Sequence, residues 1–308
     1  MLALGIDIGG TNTKLGLVDS SGKLFLHEKF PTHADQPIEV FLDHLCSVYD
    51  SLFSKIDKRV LGAGIGAPNI NPFTGLIEKA VNLSWQNVNL KSLIEAKLGL
   101  PCFIDNDANI AAIGEKQWGG AQGLHDFIVI TLGTGLGTGI FSQGKLLHSY
   151  LGMAGEGGHM IVEPSGRPCP CGGRGHLESY VSVRGIKTTL KEMVGKDYSF
   201  ATILELYQEK DKNVLEAVSM MARYLALGIS QMQSLLLPEK IILSGGVSNL
   251  GEDFLLQVTS NLDDYSYGPF RGKTKIDLTQ ISLHDGAILG AAALYWQKQA
   301  ETKSPLLE

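Results

Sequence analysis

Two kinds of apolar pattern alternate along the chain. Compact apolar runs, typical of buried strands, lie at residues 2–8, 60–65, 101–104, 127–132 and 240–243. Further strands are predicted at 14–18, 23–30 and 137–142. Apolar residues recur at helical spacing over 37–57, about 90–98, about 201–236 and from Ala287 onward. This alternation of strands and helices predicts an α/β fold.

A strand, a glycine turn and a second strand occur twice in the sequence. The first copy spans residues 4–18 around Gly9-Gly10, and the second spans residues 127–142 around Gly133-Thr134-Gly135. Asp7 of the first copy matches Thr131 of the second. The repeat predicts two related halves with a cleft between them. We place a smaller N-terminal domain at residues 1–112 plus 291–308 and a larger domain at residues 113–290.

The composition is that of an ordinary globular protein, with 44% hydrophobic and 19% charged residues. Lys and Arg number 26 against 32 Asp and Glu, and no basic run is present, which argues against nucleic-acid binding. The uncharged stretch 127–143 is interrupted by glycines and is too short to span a membrane. The first residues lack the basic segment of a signal peptide, and four cysteines are too few for a disulfide scaffold. We therefore expect a cytoplasmic protein that binds neither nucleic acid nor membranes.

The glycine turns are candidate phosphate-binding loops. Glycine lets backbone N–H groups approach a phosphate without a Cβ in the way, and a threonine hydroxyl adds a donor. The residues concerned are Gly9, Gly10, Thr11, Gly133, Thr134, Gly135, Gly137, Gly245 and Gly246. Lys14 could supply a positive charge, and Asp7 could hold the magnesium ion of a nucleoside triphosphate. The alternative is that the turns are ordinary tight hairpins.

Polar residues fill the junction between the strand at 101–104 and the helix that follows, in the run Asp105-Asn106-Asp107-Ala108-Asn109. A carboxylate in such a loop is held by rigid elements and can accept a proton from a sugar hydroxyl that attacks a γ-phosphate. The alternative role is helix capping, which favours Asp and Asn. Because the polar run exceeds what capping needs, we expect at least one of these residues to be functional.

A short segment rich in Gly and Pro contains His159, Cys169, Cys171 and His176. Two thiolates and two imidazoles make a complete tetrahedral zinc set, with no obvious open position, so the zinc ion would be structural. The alternative is a loop whose cysteines are adjacent by chance. Glu156 and Glu178 flank the cluster. Carboxylates fixed in this way would suit a polyhydroxylated substrate, although they could equally be surface charges.

Together, these motifs resemble those of the ROK family of bacterial sugar kinases over essentially the whole chain, and most of all those of its glucose kinases. The resemblance is carried by Asp7-Ile-Gly-Gly-Thr11-x-x-Lys14, Gly66-Ala-Pro68, Asn82-Leu-Ser-Trp85, Asp105-Asn-Asp107-Ala-Asn109, Gly133-Thr-Gly135-x-Gly137, Gly155-Glu-Gly-Gly-His159 and Cys169-x-Cys171-Gly-x-x-Gly175 through Glu178. Each motif alone is weak evidence. Their occurrence in this order is highly specific.

The resemblance implies an actin-like (ribonuclease H-like) fold of two domains, a homodimer, and sugar and ATP bound in the cleft between the domains. By matching position, Asp107 would be the general base for the primary hydroxyl of the sugar. Zinc would be bound by His159, Cys169 and Cys171, and Gly245-Gly246 would lie near the adenosine. The sugar ligands would be Asn82, Asn106, Glu156, His159 and Glu178.

The chain departs from the family pattern at His176, where the family usually has a third cysteine. Imidazole also binds zinc, so we expect a site of two sulfurs and two nitrogens. The alternative is a site completed by water, with weaker retention of the metal.

The activity implied by the resemblance is ATP-dependent phosphorylation of the 6-hydroxyl of glucose. Other hexoses and N-acetylhexosamines (N-acetylglucosamine, N-acetylmannosamine, mannose, fructose) are alternative substrates, because discrimination at the second carbon depends on pocket shape. Polyphosphate is an alternative donor. The family also includes repressors with a preceding helix-turn-helix domain, but here Asp7 already lies in the first strand, so we expect an enzyme. A further alternative is a non-catalytic, sugar-responsive regulator.

Overall fold

The computed structural model describes residues 1–79 and 83–303, so the predicted sugar ligand Asn82 lies outside the described residues. The chain forms two compact units. Unit 1 comprises Met1–Gln122, His148–Ala154 and the chain from Ile281 onward, and unit 2 comprises Gly123–Leu147 and Gly155–Gln280. The predicted boundaries were 112, from the sequence repeat, and 290, and the segment 148–154 was not predicted to belong to the smaller domain. The first boundary differs because the helix at Asp107–Trp118 continues past 112 and packs along the C-terminal helix of the same unit.

The strands are β1 (Leu2–Ile8), β2 (Asn12–Val18), β3 (Leu24–Pro31), β4 (Val60–Gly66), β5 (Leu76–Lys79), β6 (Gln86–Asn89), β7 (Cys102–Asp105), β8 (Phe127–Leu132), β9 (Leu136–Ser142), β10 (Lys145–Leu146), β11 (Lys240–Ser244) and β12 (Lys275–Leu278). The helices are α1 (Ile38–Phe53), α2 (Leu90–Leu98), α3 (Asp107–Trp118), α4 (Glu178–Val181), α5 (Val183–Val194), α6 (Phe200–Gln208), α7 (Lys212–Leu236), α8 (Glu252–Tyr265) and α9 (Gly286–Lys303). In the described part of the chain, none of the helices has both the length and the apolar character needed to cross a membrane.

The main sheet of unit 1 has the strand order β3-β2-β1-β4-β7. β2 is antiparallel to both β1 and β3, whereas β4 is parallel to both β1 and β7. One face packs on α1 and α2, where Phe41, Leu45 and Ile94 are buried together with Leu4 and Ile6 of β1. Alternate residues of β1 therefore face this core, and the residues between them face the opposite side.

Helix α9 packs closely on that opposite side because glycines occupy the contact positions. A Cβ atom on Gly5 would lie 2.2 Å from the backbone oxygen of Ile288, and one on Gly64 would lie 1.8 Å from that of Ala291. Gly290 makes a similar approach, since its Cβ would lie 2.4 Å from the backbone oxygen of Ile110 in α3. Larger residues cannot fit at these positions, so the glycines fix α9 and α3 on this side of unit 1.

Unit 2 repeats the strand order as β10-β9-β8-β11-β12, with antiparallel strands followed by parallel ones. Its core lies between this sheet and the long helix α7, and it buries Ile130, Leu243, Leu225 and Ile229 completely. The two strand, glycine turn and strand units predicted from the sequence are confirmed as β1–β2 and β8–β9. The predicted α/β class is confirmed as well.

The predicted helical stretch 201–236 consists of two helices, α6 and α7. The chain restarts at α7 because the side-chain oxygen of Asp211 accepts hydrogen bonds from the backbone N–H groups of Asn213 and Val214, each at 3.0 Å. The predicted helix at 37–57 ends earlier, at Phe53. These differences leave the positions of the candidate site residues unchanged.

Candidate functional site

One row of residues crosses the unit 1 sheet at the carboxyl end of β1. Asp7 pairs with Lys14 of β2 on one side and with Gly66 of β4 on the other. Gly66 in turn pairs with Asp105, the last residue of β7. Directly paired residues point to the same face of a sheet, and a Cβ on Gly66 would contact Ile110 of α3. The register therefore brings Asp7, Lys14 and Asp105 to the face that carries α3 and α9.

The first glycine turn is attached to the end of β3. The N–H of Gly9 donates to the backbone oxygen of Asn12 at 3.1 Å, and the hydroxyl of Thr32 donates to the backbone oxygen of Gly9 at 2.7 Å. The N–H of Thr32 donates to the backbone oxygen of Thr11 at 3.0 Å. Thr11 itself is exposed. A fixed turn with an exposed hydroxyl can donate hydrogen bonds to a bound anion.

Asp7 is half-buried, and ionisation of its carboxyl group therefore costs free energy. Burial and the neighbouring Asp107 raise the pKa of Asp7 to about 6, whereas Lys14 acts to lower it. A carboxylate that is partly removed from water and lies near a second carboxylate gains from a divalent cation, because the cation offsets both charges. The electrostatics of Asp7 thus suit the predicted magnesium contact.

The run from Asp105 to Asn109 begins α3 through local hydrogen bonds. Oδ1 of Asn106 accepts from the N–H of Asn109 at 2.7 Å, so Asn106 is the N-cap of the helix. Oδ1 of the buried Asp105 accepts from the N–H of Asn106 at 2.8 Å and from Nδ2 of Asn109 at 2.7 Å. Asn106 therefore caps α3, and helix capping does not explain why an aspartate occupies position 107.

Asp107 is the first residue of α3, and its side chain is exposed. The surrounding protein nevertheless displaces part of the water that would solvate the charge, which raises the pKa of Asp107 above its ordinary value. The N–H of Ala108 donates to Oδ1 of Asp107 at 2.9 Å and acts in the opposite direction. An accessible carboxylate with a raised pKa is a stronger base than a free aspartate.

His148 also contacts this junction, and sequence reasoning missed it. Its Nε2 lies 2.7 Å from Oδ2 of Asp105, and its ring meets that of Phe73 at a centroid distance of 5.6 Å. His148 begins the segment 148–154, where the chain returns briefly to unit 1. Because the contact joins positions far apart in the sequence, no local motif marks it.

The second glycine turn is braced by Glu178. Oε2 of Glu178 accepts from the N–H of Leu136 at 2.9 Å, and a Cβ on Gly135 would lie 2.2 Å from the same oxygen. Nη2 of Arg184 lies 2.6 Å from Oε1 of Glu178. Glu178, predicted to bind sugar, thus has both oxygens engaged within unit 2. Arg184, six residues further along, was missed by the sequence reasoning.

Gly245 lies directly against the strand that leads into this turn. Its φ of +86° is in the left-handed region that favours glycine. A Cβ on Gly245 would lie 2.6 Å from the backbone oxygen of Leu132, the residue before Gly133. The structure therefore brings Gly245 and Gly246, predicted to lie near the adenosine, together with the second turn in unit 2.

The segment Gly155–His159 is attached to β9 through Thr138. The Thr138 hydroxyl donates to the backbone oxygen of Gly155 and accepts from the N–H of Gly157 at 3.1 Å. Glu156 precedes a short 3₁₀ turn that ends at His159, and its Oε2 lies 3.7 Å from Nε2 of His159. The structure thus brings these two predicted sugar ligands together.

The four predicted zinc ligands converge in unit 2. One ligand atom from each of them lies within 4.8 Å of all the others, the residues being His159, Cys169, Cys171 and His176. Nδ1 of His159 is 3.9 Å from Sγ of Cys169, and Nδ1 of His176 is 3.2 Å from Sγ of Cys171. Two thiolates and two imidazoles at these separations fit the tetrahedral coordination of zinc. His176 belongs to the cluster, so its imidazole lies in the position of the fourth ligand of a tetrahedral site.

Arg167, which the sequence reasoning did not single out, holds the cluster loop in place. Its Nη1 donates to the backbone oxygens of Ser179 and Gly185 at 3.2 and 3.3 Å. Its guanidinium carbon lies 4.9 Å from the centre of the Tyr180 ring, a cation–π contact. Arg167 therefore connects the loop that carries the cysteines to α4 and α5. Its place in a Gly- and Pro-rich loop was the only sequence signal.

The two units share a strand order, and each has a glycine turn in its first hairpin. This is an α/β fold of the actin-like sugar-kinase class, as the sequence predicted. A model of the ROK family matches residues 3–298, and the chain belongs to this family.

Similar proteins include enzymes and regulators. A glucokinase of Halalkalibacterium halodurans is 32% identical over 315 residues, which cover 96% of this chain and 95% of the relative. The solved structure of a ROK family glucokinase from Streptomyces griseus in complex with glucose and AMPPNP has a TM-score of 0.84 and 31% identity, and the match covers 96% of this chain and 99% of that one. A xylose repressor of Caldicellulosiruptor bescii is 28% identical over 308 residues, covering 94% of this chain and 77% of the repressor.

Proposed function

We propose that this protein is a sugar kinase that transfers the γ-phosphoryl group of ATP to the 6-hydroxyl of glucose. The observation that carries the proposal is Asp107, an accessible carboxylate with a raised pKa at the start of α3, beside the half-buried Asp7. Its similarity to glucokinases along nearly the whole chain supports the choice of reaction and of sugar.

Asp107 acts as the general base in the proposed reaction. Its carboxylate accepts the proton of the 6-hydroxyl as the hydroxyl oxygen attacks the γ-phosphorus in line. A bond forms between this oxygen and the γ-phosphorus, the bond from the γ-phosphorus to the bridging oxygen breaks, and ADP leaves. Because little covalent chemistry falls to the protein, positioning and neutralisation of charge supply most of the remaining rate.

Magnesium bound to ATP would neutralise phosphate charge in this reaction. Asp7 is the proposed magnesium contact, and Lys14, its partner across the β1–β2 hairpin, is the proposed positive charge near the phosphates. The turns Gly9–Thr11 and Gly133–Gly135 would donate hydrogen bonds to phosphate oxygens, and Gly245-Gly246 would lie near the adenosine. The exposed hydroxyl of Thr11 on its fixed turn supports this role.

The sugar is proposed to bind through Asn106, Glu156, His159 and Glu178 of the described residues. Asn106 uses its oxygen as a helix cap, so its side-chain nitrogen is the group that would donate to the sugar. Glu178 braces the second turn, so its contribution would be to hold that turn and the sugar at the same time. Zinc held by His159, Cys169, Cys171 and His176 would fix His159 beside Glu156.

The test is ADP release by purified, zinc-loaded protein with magnesium and ATP, against a panel of hexoses and N-acetylhexosamines. We expect glucose to be the preferred sugar. In Asp107→Asn, turnover should fall by orders of magnitude while glucose affinity by calorimetry is retained, since the amide cannot take the proton. Asp57→Asn, which alters an exposed aspartate in the same unit, is the matched control. Substantial turnover by Asp107→Asn would remove Asp107 from this role.

The same panel separates the alternatives. Preference for an N-acetylhexosamine would keep the mechanism and change the substrate, and turnover with polyphosphate alone would change the donor. Similarity to a xylose repressor makes a sugar-responsive regulator the second candidate, which predicts sugar binding without ADP release. The homodimer stays a prediction, and sedimentation velocity tests it.

A further inference from the structure

We propose that unit 1 carries a second metal site, separate from the cysteine cluster, for a divalent transition cation of the zinc, nickel or copper class. Its ligands are His27, His284 and Asp285. One nitrogen of each imidazole and one carboxylate oxygen lie within 4.8 Å of one another. Two imidazoles and one carboxylate form a three-ligand set that zinc uses when water completes the coordination, and imidazole also suits nickel and copper.

The fold brings the three ligands together from distant parts of the chain. His27 lies on β3, directly opposite Gly16 of β2. A Cβ on Gly16 would lie 2.9 Å from Cγ2 of Ile288, so the first turn of α9 rests directly on this part of the sheet. His284 and Asp285 immediately precede α9 and therefore arrive beside His27. The two imidazole rings lie perpendicular, with centroids 5.8 Å apart.

Asp285 provides an independent sign that a ligand belongs here. Its Oδ1 atom is buried, and it has no hydrogen-bond partner among the residues that the structure describes. A buried carboxylate oxygen without a partner costs free energy, because it has lost water and gained nothing in return. A cation bound by the carboxylate of Asp285 and the two imidazoles would offset this cost by neutralising the negative charge.

The ligands line a cavity of about 260 Å³ that also contains Lys14, Glu28 and Lys29. Lys14 and Lys29 carry positive charges, which by themselves would favour binding of an anion over binding of a cation. The ammonium of Lys14 is directed at the backbone oxygen of His284, at 3.2 Å. Asp285 and Glu28 balance the charges of the two lysines, and the carboxylate of Asp285 cannot donate a hydrogen bond to an anion. The donor set thus favours a cation.

Cobalt titration distinguishes the two metal sites, because a thiolate ligand gives cobalt a charge-transfer band that imidazole and carboxylate ligands do not give. We expect metal-free wild-type protein to bind two cobalt ions per chain in equilibrium dialysis. The His27→Ala/His284→Ala variant should bind one, with the thiolate band intact. The Cys169→Ser/Cys171→Ser variant should also bind one, without the band. His125→Ala, which changes an exposed histidine of unit 2, should bind two.

Both substituted histidines of unit 1 are exposed, so loss of binding would not arise from unfolding, and circular dichroism checks this. Wild-type protein that binds only the cobalt ion with the thiolate band would overturn the inference. Retention of two ions by the His27→Ala/His284→Ala variant would overturn it as well. A third outcome is that no second cobalt ion binds, while inorganic phosphate protects the wild-type protein against heat but does not protect the His27→Ala/His284→Ala variant. This result would show that the site binds an anion and not a cation.

Discussion

Nε2 of His148 lies 2.7 Å from Oδ2 of Asp105, one residue before the N-cap of α3. Oδ1 of the same carboxylate is held by Asn106 and Asn109. Asp105 is 2% exposed, so its hydrogen bonds replace almost all of its hydration. The contact thus ties the 148–154 segment to the junction that positions Asp107.

His148→Ala should lower the free energy of unfolding by about 1–3 kcal/mol, because it leaves a buried carboxylate oxygen without its partner. Urea unfolding at neutral pH measures the change. His125→Ala is the matched control, and its effect should stay within about 0.5 kcal/mol, as is usual for exposed positions. Equal effects of the two substitutions would show that His148 does not stabilise Asp105.

Asp7→Asn should stabilise the protein while it abolishes turnover. The pKa of Asp7 is raised from 3.8 to about 6, so the folded state resists ionisation that the unfolded state undergoes freely. The resulting cost is absent below pH 3.8, grows as the pH rises to about 6, and is constant above that. At about 1.4 kcal/mol per pKa unit, its upper limit is about 3 kcal/mol.

Urea unfolding at several pH values measures this gain. The stabilisation by Asp7→Asn should be larger at about pH 7.5 than at about pH 5, as the linkage of ionisation to folding requires. Asp57→Asn, at an exposed position, is the matched control. A gain that does not change with pH would mean that ionisation of Asp7 is not its source.

Gly135→Ala should be destabilising, because its Cβ would lie 2.2 Å from Oε2 of Glu178. The carboxylate must then move away from the N–H of Leu136, and overpacking of this kind costs about 1–3 kcal/mol. Gly133→Ala, two residues earlier, is the control for stability, since its Cβ would have no heavy atom within 4 Å. Thermal unfolding of both variants compares them. A smaller loss in Gly135→Ala than in Gly133→Ala would contradict the bracing role of Glu178.

Arg167→Gln should weaken zinc retention although Arg167 is not a ligand. The substitution removes the guanidinium that bonds to the backbone oxygens of Ser179 and Gly185 and lies on the ring of Tyr180. Partners that orient a metal loop typically change affinity by about 10- to 100-fold when they are lost. Competition with a zinc chelator measures the affinity. Arg174→Gln, at an exposed position in the same loop, should retain zinc like the wild type.

The glycine turns and the Cys/His cluster could be predicted from the sequence because each is local. Gly9-Gly10 and Gly133-Thr134-Gly135 follow apolar runs directly, and Cys169 to His176 lie within one loop. Residues that are this close in the sequence must also lie close together in the fold, so their spacing alone predicts the turn or the cluster. The repeated unit also follows from spacing alone, which is why β1–β2 and β8–β9 were found.

The contacts of His148, Arg167 and Arg184 could not be predicted in the same way. The contact of His148 with Asp105 depends on where the chain returns after a long connection. The contacts of Arg167 and Arg184 are closer in the sequence, but they depend on the path of the cluster loop, which no spacing rule specifies. Glu178 shows the same limit in another form. The family resemblance implied that Glu178 is a sugar ligand, whereas its contacts with the N–H of Leu136 and with Arg184 became visible only in three dimensions.

Lys14, Asp7, Gly66 and Asp105 form one row across the sheet. The number of residues in the first hairpin therefore decides which side chain of β2 lies beside Asp7. Successive side chains of a strand point to opposite faces, so a slip of one residue reverses every one of them. Insertion of a single residue between β1 and β2 would move Lys14 opposite Ile6, towards the apolar layer beneath α1, and would put Thr13 opposite Asp7 in its place. The hairpin can therefore accept a different residue at the exposed Thr11 more easily than one residue more.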